Sequence, residues 1–205
     1  MTGKGSLNHN SRKFHAKNTD PNRTHWNVEY CNEDIKDVYH ELFDDALKRY
    51  NDKQTRKDRK IDDYYEKIRS GKQEKLFHEV ILQIGDKDNM GSETMEGQLA
   101  AKILDEYMKG FQERNPTLRV FAAHLHLDEA TPHLHIDFIP YVTGSKRGLD
   151  TRVSLKQALS SLGFKGGSRS ETELNQWVQS EKEKLAMVMR ENEKEWEQKG
   201  THEPH

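Results

Sequence analysis

One stretch of the sequence, HLHLDEATPHLHIDF at residues 124–138, determines the fold prediction and the candidate site together. Apolar and polar residues alternate on both sides of DEATP, which predicts two β-strands joined by a short reversal. Side chains two residues apart share one face of a strand, so His133 and His135 point the same way. Directly opposed side chains on paired strands lie within about 5 Å, which allows His126 to join them. His124 lies one pair further along and is predicted to pack beside the other three.

Three imidazoles on a rigid hairpin have the character of a metal site with open coordination positions. Catalytic metal sites keep such positions, whereas structural sites fill them with protein ligands. Imidazole nitrogen suits Zn, Ni, Co, Fe or Mn. The alternative is a set of cross-strand histidines without metal, and three from one hairpin favour the metal. Glu129 is the candidate base, because a carboxylate beside a metal site can take a proton from a nucleophile, and Asp128 suits a turn.

The segments outside the hairpin predict an α+β protein with a partly antiparallel sheet. Helical spacing of apolar residues predicts helices over 32–51, 92–115, 154–164 and 171–200. A β-branched run predicts a third strand over 75–86. Asn32, Ser92 and Ser154 are the predicted N-caps. Residues 1–27 are predicted to be loop, and 52–73 an exposed charged helix ending near Gly71.

Composition restricts the class of protein. Of 205 residues, 33% are charged and 32% hydrophobic, so the core is lean and one domain with an appended arm is expected. No apolar run approaches the roughly 20 residues of a membrane span, the N-terminus lacks a signal-peptide core, and Cys31 has no disulfide partner in the chain. The cytoplasm is the predicted location.

The charge distribution is uneven although the net charge is only −2. Residues 1–26 hold five basic and one acidic residue, and residues 143–170 hold six basic and one acidic residue. These stretches are either solvated loops or parts of a basic face. Charge alone does not decide between the two.

The hairpin motif resembles the metal motif of a known family. The pattern His126-x-Asp128-Glu129-x-x-Pro132-His133-x-His135 resembles that of the Mob/Pre (MobV) plasmid mobilisation relaxases, also described as plasmid recombination enzymes. The segment NHNSR, with His9-x-x-Arg12, resembles the N-terminal motif of the family, and NTDPNRTHWNVEY resembles its continuation. The resemblance covers essentially the whole chain.

The resemblance implies a metal-dependent relaxase of the HUH-like kind. Such enzymes nick one strand at an origin of transfer, stay attached to the 5′ phosphate and later rejoin the ends. The implied fold is an antiparallel palm sheet flanked by helices, with a long C-terminal helix. The domain prediction is a nicking domain over 1–170, and a helix and tail over 171–205 that begin a truncated C-terminal region.

The resemblance also assigns roles. His9 matches the nucleophile of the family, which uses histidine in place of tyrosine, and Arg12 matches its arginine. Glu129 would hold the attacking ring in the right tautomer. The metal ligands would be His126, His133 and His135, holding one divalent ion: Mn²⁺ is favoured, and Mg²⁺, Co²⁺, Ni²⁺ and Zn²⁺ are possible.

The implied partners are DNA at an origin of transfer, single-stranded or hairpin near the nick, and conjugation accessory proteins. The host would be bacterial and the gene part of a mobile element. The predicted DNA-binding residues are Lys13, Arg23, Lys146, Arg147, Arg152, Lys165 and Arg169. Trp26 and Phe14 are suited to stacking on unpaired bases, but core packing is expected for both.

Three other functions stay open from the sequence. A rolling-circle replication initiator of the same broad fold would use a tyrosine nucleophile, Tyr30 or Tyr39. A metal-dependent hydrolase of a small phosphoester would turn over without a covalent DNA intermediate. A DNA-binding accessory factor would use the histidines for a structural metal.

Overall fold

An antiparallel sheet forms the centre of the molecule. The computed structural model describes the backbone of residues 2–3, 6–13, 16–85 and 91–200, and the side chains of these except 2–3 and 194–200. The strands are β1 (Thr2–Gly3), β2 (Val28–Asn32), β3 (His78–Gln83), β4 (Leu118–His126), β5 (His133–Val142) and β6 (Arg152–Val153). Their order is β1-β3-β5-β4-β2, and β6 pairs with the far end of β5.

Helices cover both faces of this sheet. They are α1 (Leu7–Asn10), α2 (Ile35–Asp52), α3 (Tyr64–Ser70), α4 (Met95–Lys109), α5 (Phe111–Arg114), α6 (Leu155–Ser161) and α7 (Glu173–Gly200). The antiparallel α+β fold with a long C-terminal helix is therefore confirmed. None of the helices in the described part of the chain is both long and apolar enough to cross a membrane.

The two faces of β5 have different partners. Leu134, Ile136 and Phe138 belong to a core shared with α4, α5, α6 and α7. On the opposite face, Ile139 belongs to a second core built with α2 and α3. His135 lies four residues before Ile139 and therefore on the same face. The α2–α3 layer thus covers one end of this face, and the histidines occupy the other end.

The N-terminal half of the chain is more ordered than its composition predicts. The predicted loop over 1–27 contains β1, α1 and a 3-10 turn at Thr24–Trp26. The strand β2 was also missed, because it pairs with β4 across a bulge and has no alternation of its own. Within the charged stretch at 52–73, a 3-10 helix spans Lys57–Arg59 and α3 spans Tyr64–Ser70, with Gly71 as its C-cap near the predicted end.

Two predicted helix starts are wrong by two residues. Asn32 is the last residue of β2, and Asp34 caps α2 by accepting hydrogen bonds from two backbone N–H groups. Thr94 caps α4 in place of Ser92, by accepting a bond from the backbone N–H of Gly97 at 3.0 Å. Ser154 does cap α6, as predicted. In both cases a second residue suited to capping follows two positions later. The residue predicted as the cap belongs instead to the strand or turn that precedes the helix.

The long helix α7 packs on α4 and α6 and takes part in the first core. Trp177 is 1% exposed and donates from its ring nitrogen to Asn115 at 2.9 Å. Glu181, also buried, accepts hydrogen bonds from Tyr107 and Arg114. The helix is therefore fixed by a polar network as well as by apolar contacts.

Candidate active site and metal centre

Three histidines meet on one face of the β4–β5 hairpin. The ring centroids are 5.4 Å apart for His126 and His133, 4.8 Å for His126 and His135, and 5.0 Å for His133 and His135. One nitrogen from each ring lies within 4.8 Å of the others. We call these three residues the histidine cluster. His124 shares the face but contacts Glu29 at 3.2 Å and does not belong to the cluster, as the sequence predicted.

Each ring of the histidine cluster uses one nitrogen to donate a hydrogen bond. The pairs are His126 Nε2 to the Asn10 carbonyl at 2.8 Å, His133 Nδ1 to the Thr131 carbonyl at 2.9 Å, and His135 Nδ1 to Glu79 at 3.3 Å. A neutral imidazole that donates through one nitrogen has a lone pair on the other. His126 Nδ1 and His135 Nε2 are buried and have no hydrogen-bond partner among the described residues.

This arrangement fits a divalent metal ion. Metal-ligating histidines ordinarily donate their second nitrogen to a carbonyl or carboxylate, which fixes the tautomer and the ring orientation. All three rings satisfy that rule, and burial lowers the pKa of His126 to about 3, so its ring stays neutral. Two orphaned lone pairs in a buried polar site are costly without a partner. The donor set therefore suits a transition metal cation.

Two buried carboxyl groups support the cluster from behind. Glu79 on β3 accepts from His135 and, at 2.5 Å, from the side-chain amide of Asn10. Burial and the adjacent charge of Glu79 hold the pKa of Asp137 well above its usual range, so Asp137 is protonated at neutral pH. Burial would raise the pKa of Glu79 too, but His135 and Asn10 lower it further, so Glu79 carries the charge.

Helix α1 and the turn that follows it place His9 and Arg12 beside the histidine cluster. The rings of His9 and His126 meet edge to face, with centroids 6.0 Å apart. Arg12 donates to Asp128 from two nitrogens and to Glu129 at 2.8 Å. Its φ of 54° lies in the left-handed region, which costs a non-glycine residue about 1–3 kcal/mol. The bidentate pair with the fully buried Asp128 sustains this conformation.

Glu129 is the point where the two halves of the site meet. Its carboxylate accepts from Arg12 and, at 3.0 Å, from Asn18, and it lies 3.4 Å from both His9 Nε2 and His133 Nε2. Burial would raise its pKa, but His133 and Arg12 hold that pKa well below its usual range. Glu129 is therefore ionised. It also forms, with His9 and His126, a second group with metal-ligand spacing.

The protonation state of His9 suits a nucleophile. Burial and the charge of Arg12 lower its pKa, and Glu129 only partly opposes them. Arg12 Nη1 lies 3.2 Å from His9 Nε2, and a guanidinium can only donate, so this contact places a lone pair on Nε2. The ring is thus neutral at neutral pH.

Comparison with known proteins agrees with this geometry. The family model of Mob_Pre, described as plasmid recombination enzyme, matches residues 5–199. The chain belongs to the Mob/Pre family. Among solved structures it is similar to the MobM relaxase domain bound to oriT DNA of plasmid pMV158, a Mn-bound crystal structure at pH 5.5. The identity is 24% and the TM-score 0.52, over 93% of this chain and 84% of that chain, which shows a shared relaxase-domain fold.

A second Mn-bound crystal structure of the MobM relaxase domain with the same DNA, at pH 4.6, has a TM-score of 0.48 and 24% identity, over 90% of this chain and 77% of that chain. No curated protein sequence matches the chain.

The predicted DNA-binding residues of this Mob/Pre chain lie in three places. Lys13 is exposed beside Arg12. Arg23, just before the 3-10 turn, forms ion pairs with Asp20 and Glu93. The exposed Lys146 and Arg147 and the half-buried Arg152 lie toward the α2–α3 side. Lys165 and Arg169 are exposed between α6 and α7, in the opposite layer. The structure therefore does not join the seven into one surface.

The expectation of core packing for Trp26 is wrong. Its side chain is 41% exposed and touches only His25 among aromatic residues that the structure describes, edge to face at 5.8 Å. It extends from the 3-10 turn whose Thr24 donates to Asp128, so it lies near the site. Phe14 falls outside the described residues.

The two tyrosines of the replication-initiator alternative are held elsewhere. Tyr30 donates its hydroxyl to Asp105 of α4, on the sheet face opposite the histidine cluster. Tyr39 is 3% exposed and donates to the Leu76 carbonyl within the α2–α3 layer. Burial, more than any other effect, raises the pKa of both hydroxyls far above the usual range, so neither is prepared to attack a phosphate.

Three polar residues of the site escaped the sequence analysis: Asn10, Asn18 and Glu79. Glu79 is an acidic residue inside the apolar run HEVILQ, an anomaly that predicts a buried partner. Asp137 was visible too, since it continues the alternation of His133 and His135 onto the same face. Asn10 and Asn18 give no such signal in an asparagine-rich segment.

Proposed function

We propose that this Mob/Pre chain is a metal-dependent DNA relaxase. It nicks one strand at an origin of transfer, keeps the 5′ phosphate as a covalent adduct on His9, and rejoins the strand during conjugative mobilisation of a plasmid or transposon. The observation that carries the proposal is the convergence of His9, Arg12 and the histidine cluster on the single carboxylate of Glu129. A DNA-bound relative with the same fold supports it.

His126, His133 and His135 would hold one divalent ion through their second nitrogens. The relative with the shared fold is Mn-bound, which favours Mn²⁺ here. When bound, the cation would supply positive charge and Lewis acidity at the scissile phosphate. Glu79 and the carbonyls of Asn10 and Thr131 keep each ring in the tautomer that binding requires.

His9 would be the nucleophile. Its Nε2 lone pair attacks the scissile phosphorus, the Nε2–P bond forms, and the P–O3′ bond breaks. The strand leaves as a 3′ hydroxyl, and the proton that it gains balances the proton that the imidazolium loses from Nδ1 to solvent. Strand rejoining is the reverse, with the 3′ hydroxyl displacing the imidazole.

Arg12 and Glu129 would position this ring. Arg12 keeps the lone pair on Nε2 and brings positive charge beside the phosphate. Glu129 accepts from Arg12 and so fixes the guanidinium that contacts the ring, and its carboxylate lies 3.4 Å from His9 Nε2. Asn10, the neighbour of His9, fastens α1 to the metal side of the site through His126 and Glu79.

The other candidates explain less of the structure. A tyrosine mechanism would need Tyr30 or Tyr39, and both hydroxyls are engaged away from the cluster. A structural metal would leave the His9–Arg12–Glu129 arrangement without a use. The family's plasmid recombination description supports a bacterial host, a cytoplasmic location and a mobile element, with conjugation accessory proteins as partners.

The test is nicking of supercoiled plasmid that carries the chain's own origin. The wild type should give open circles with Mn²⁺ and none with EDTA, while His9→Ala and His126→Ala should both fail. Lys182→Ala, an exposed change on α7, should nick like the wild type and serves as the matched control. Nicking in EDTA, or by His9→Ala, would refute the mechanism.

A further inference from the structure

A cleft of about 910 Å³ lies between α3, the end of α2 and the β5–β6 connection. Its floor includes the buried Leu149 and Val153 and the half-buried Tyr50, Ile61 and Ile68. The cleft is separate from the histidine cluster, and the proposed chemistry makes no use of it.

The rim of this cleft is basic and uncompensated. The lining includes six basic side chains: Arg59, Lys60, Lys67, Lys72, Arg147 and Arg152. Among the described residues, none of these six has a carboxylate within ion-pair distance, whereas Arg49, Arg114 and Arg119 all do. Unpaired cations gathered around one cavity form a site for an anion with several charges.

The two acidic residues of the lining do not neutralise this rim. Asp58 is paired with Arg56, which does not line the cleft. Glu74 accepts a hydrogen bond from the backbone N–H of Leu155, and the lining holds only these two acidic residues against six basic ones. The positive potential of the rim is therefore available to a ligand.

The cleft and the histidine cluster lie on the same side of the sheet, since Leu149 and Val153 of the cleft belong to the core built with α2 and α3. Val153, in the cleft, pairs with Tyr141 on β5, and Tyr141 shares its face with His135 six residues earlier. Six residues of strand span roughly 20 Å. That is about six nucleotide steps at the ~3.4 Å spacing of a B-DNA strand, and fewer for an extended one.

We propose that this cleft binds an unpaired segment of the DNA substrate, with phosphates on the basic rim and a base on the apolar floor. A basic groove beside aromatic and apolar side chains is the usual form of a single-strand site. The proposal rests on the proposed function for the identity of the DNA. It adds Arg59, Lys60, Lys67 and Lys72 to the predicted contacts.

The test is binding of fluorescent oligo(dT) in EDTA over a range of salt concentrations. Each lysine that contacts a phosphate should reduce the slope of log Kobs against log salt by about 0.7 when it is removed. Lys67→Ala and Lys72→Ala should each show this loss, and Lys182→Ala, on the other side of the sheet, should not. Unchanged slopes in both cleft variants, or losses seen only with duplex DNA, would overturn the proposal.

Substitutions of Tyr50 test separately whether a base contacts the floor of the cleft. Tyr50→Ala should weaken oligo(dT) binding roughly tenfold, and Tyr50→Phe, which keeps the ring, should bind like the wild type. Equal binding by all three proteins would remove the base contact. Because this assay contains no divalent ion and needs no cleavage, a wild type that fails to nick plasmid refutes the proposed function without affecting the result for the cleft.

Discussion

Asn10 joins the two halves of the site at the level of single residues. Its carbonyl accepts from His126, its amide donates to Glu79, and its chain neighbour is His9. Position 10 therefore ties the proposed nucleophile to the proposed ligands through two hydrogen bonds and one peptide bond. Composition predicted a loop here, since an asparagine in a polar segment does not reveal a partner that lies far along the sequence.

Glu79 should be essential for metal affinity although it touches no metal. Glu79→Gln keeps the shape but removes the charge that orients His135. We expect a loss of about 10–100-fold in Mn²⁺ affinity, measured by calorimetric titration. Glu29→Gln is the matched control, because Glu29 contacts His124, outside the cluster. Equal affinity of the Glu79 variant and the wild type would show that this carboxylate does not support the site.

The pH profile of nicking should reflect the lowered pKa of His9. Only the neutral ring can attack, and burial with Arg12 lowers its pKa below the ordinary 6.5. The rate should therefore be retained at pH 6.5 and fall only as the pH drops through this lower pKa. Single-turnover rates at saturating Mn²⁺ measure it, with metal binding recorded at each pH. A rate that already falls above pH 6.5, with metal still bound, would contradict the assignment.

At the level of elements, a strand could be predicted from the sequence only where one continuous stretch carries its pattern. The β4–β5 hairpin was predicted because its alternation and its turn lie in one continuous stretch. β2 was missed because its pairing with β4 joins positions almost a hundred residues apart. The same distinction applies to the site: sequence spacing grouped His126, His133 and His135, whereas Glu79 required the β3–β5 register.

Helix α7 should contribute strongly to stability. Trp177→Ala removes a fully buried ring and its bond to Asn115, so it should lower the unfolding free energy by about 3–5 kcal/mol in urea. Met187→Ala, on the same helix and 45% exposed, should change it by less than about 0.5 kcal/mol. An unchanged value for the tryptophan variant would support the prediction of an independent domain over 1–170.

At the scale of the whole molecule, both proposed DNA sites lie on one face of the sheet. The histidine cluster occupies one end and the α2–α3 layer covers the other. Sequence charge identified residues 143–170 but not 56–72, because that stretch carries four acidic residues among its seven basic ones. The folded structure shows what the sequence does not: Asp58 forms its ion pair with Arg56, outside the cleft. The basic side chains that line the cleft have no carboxylate partner among the described residues.

Metal binding should stabilise the folded chain as a whole. A ligand at 100 times its Kd adds about 2.7 kcal/mol to the unfolding free energy. The increase in Tm with Mn²⁺ should persist in His9→Ala and disappear in His133→Ala, measured by thermal melts with and without EDTA. The reverse result would assign the metal to the alternative group of His9, His126 and Glu129.

The covalent adduct is the most direct test of the account. A suicide oligonucleotide carrying the chain's own origin is incubated with the protein and Mn²⁺, digested, and mapped by mass spectrometry. We predict a nucleotide mass on the peptide that contains His9, joined by an acid-labile P–N bond and absent from His9→Ala. An adduct on Tyr30, on Tyr39 or on any other side chain would contradict the central claim.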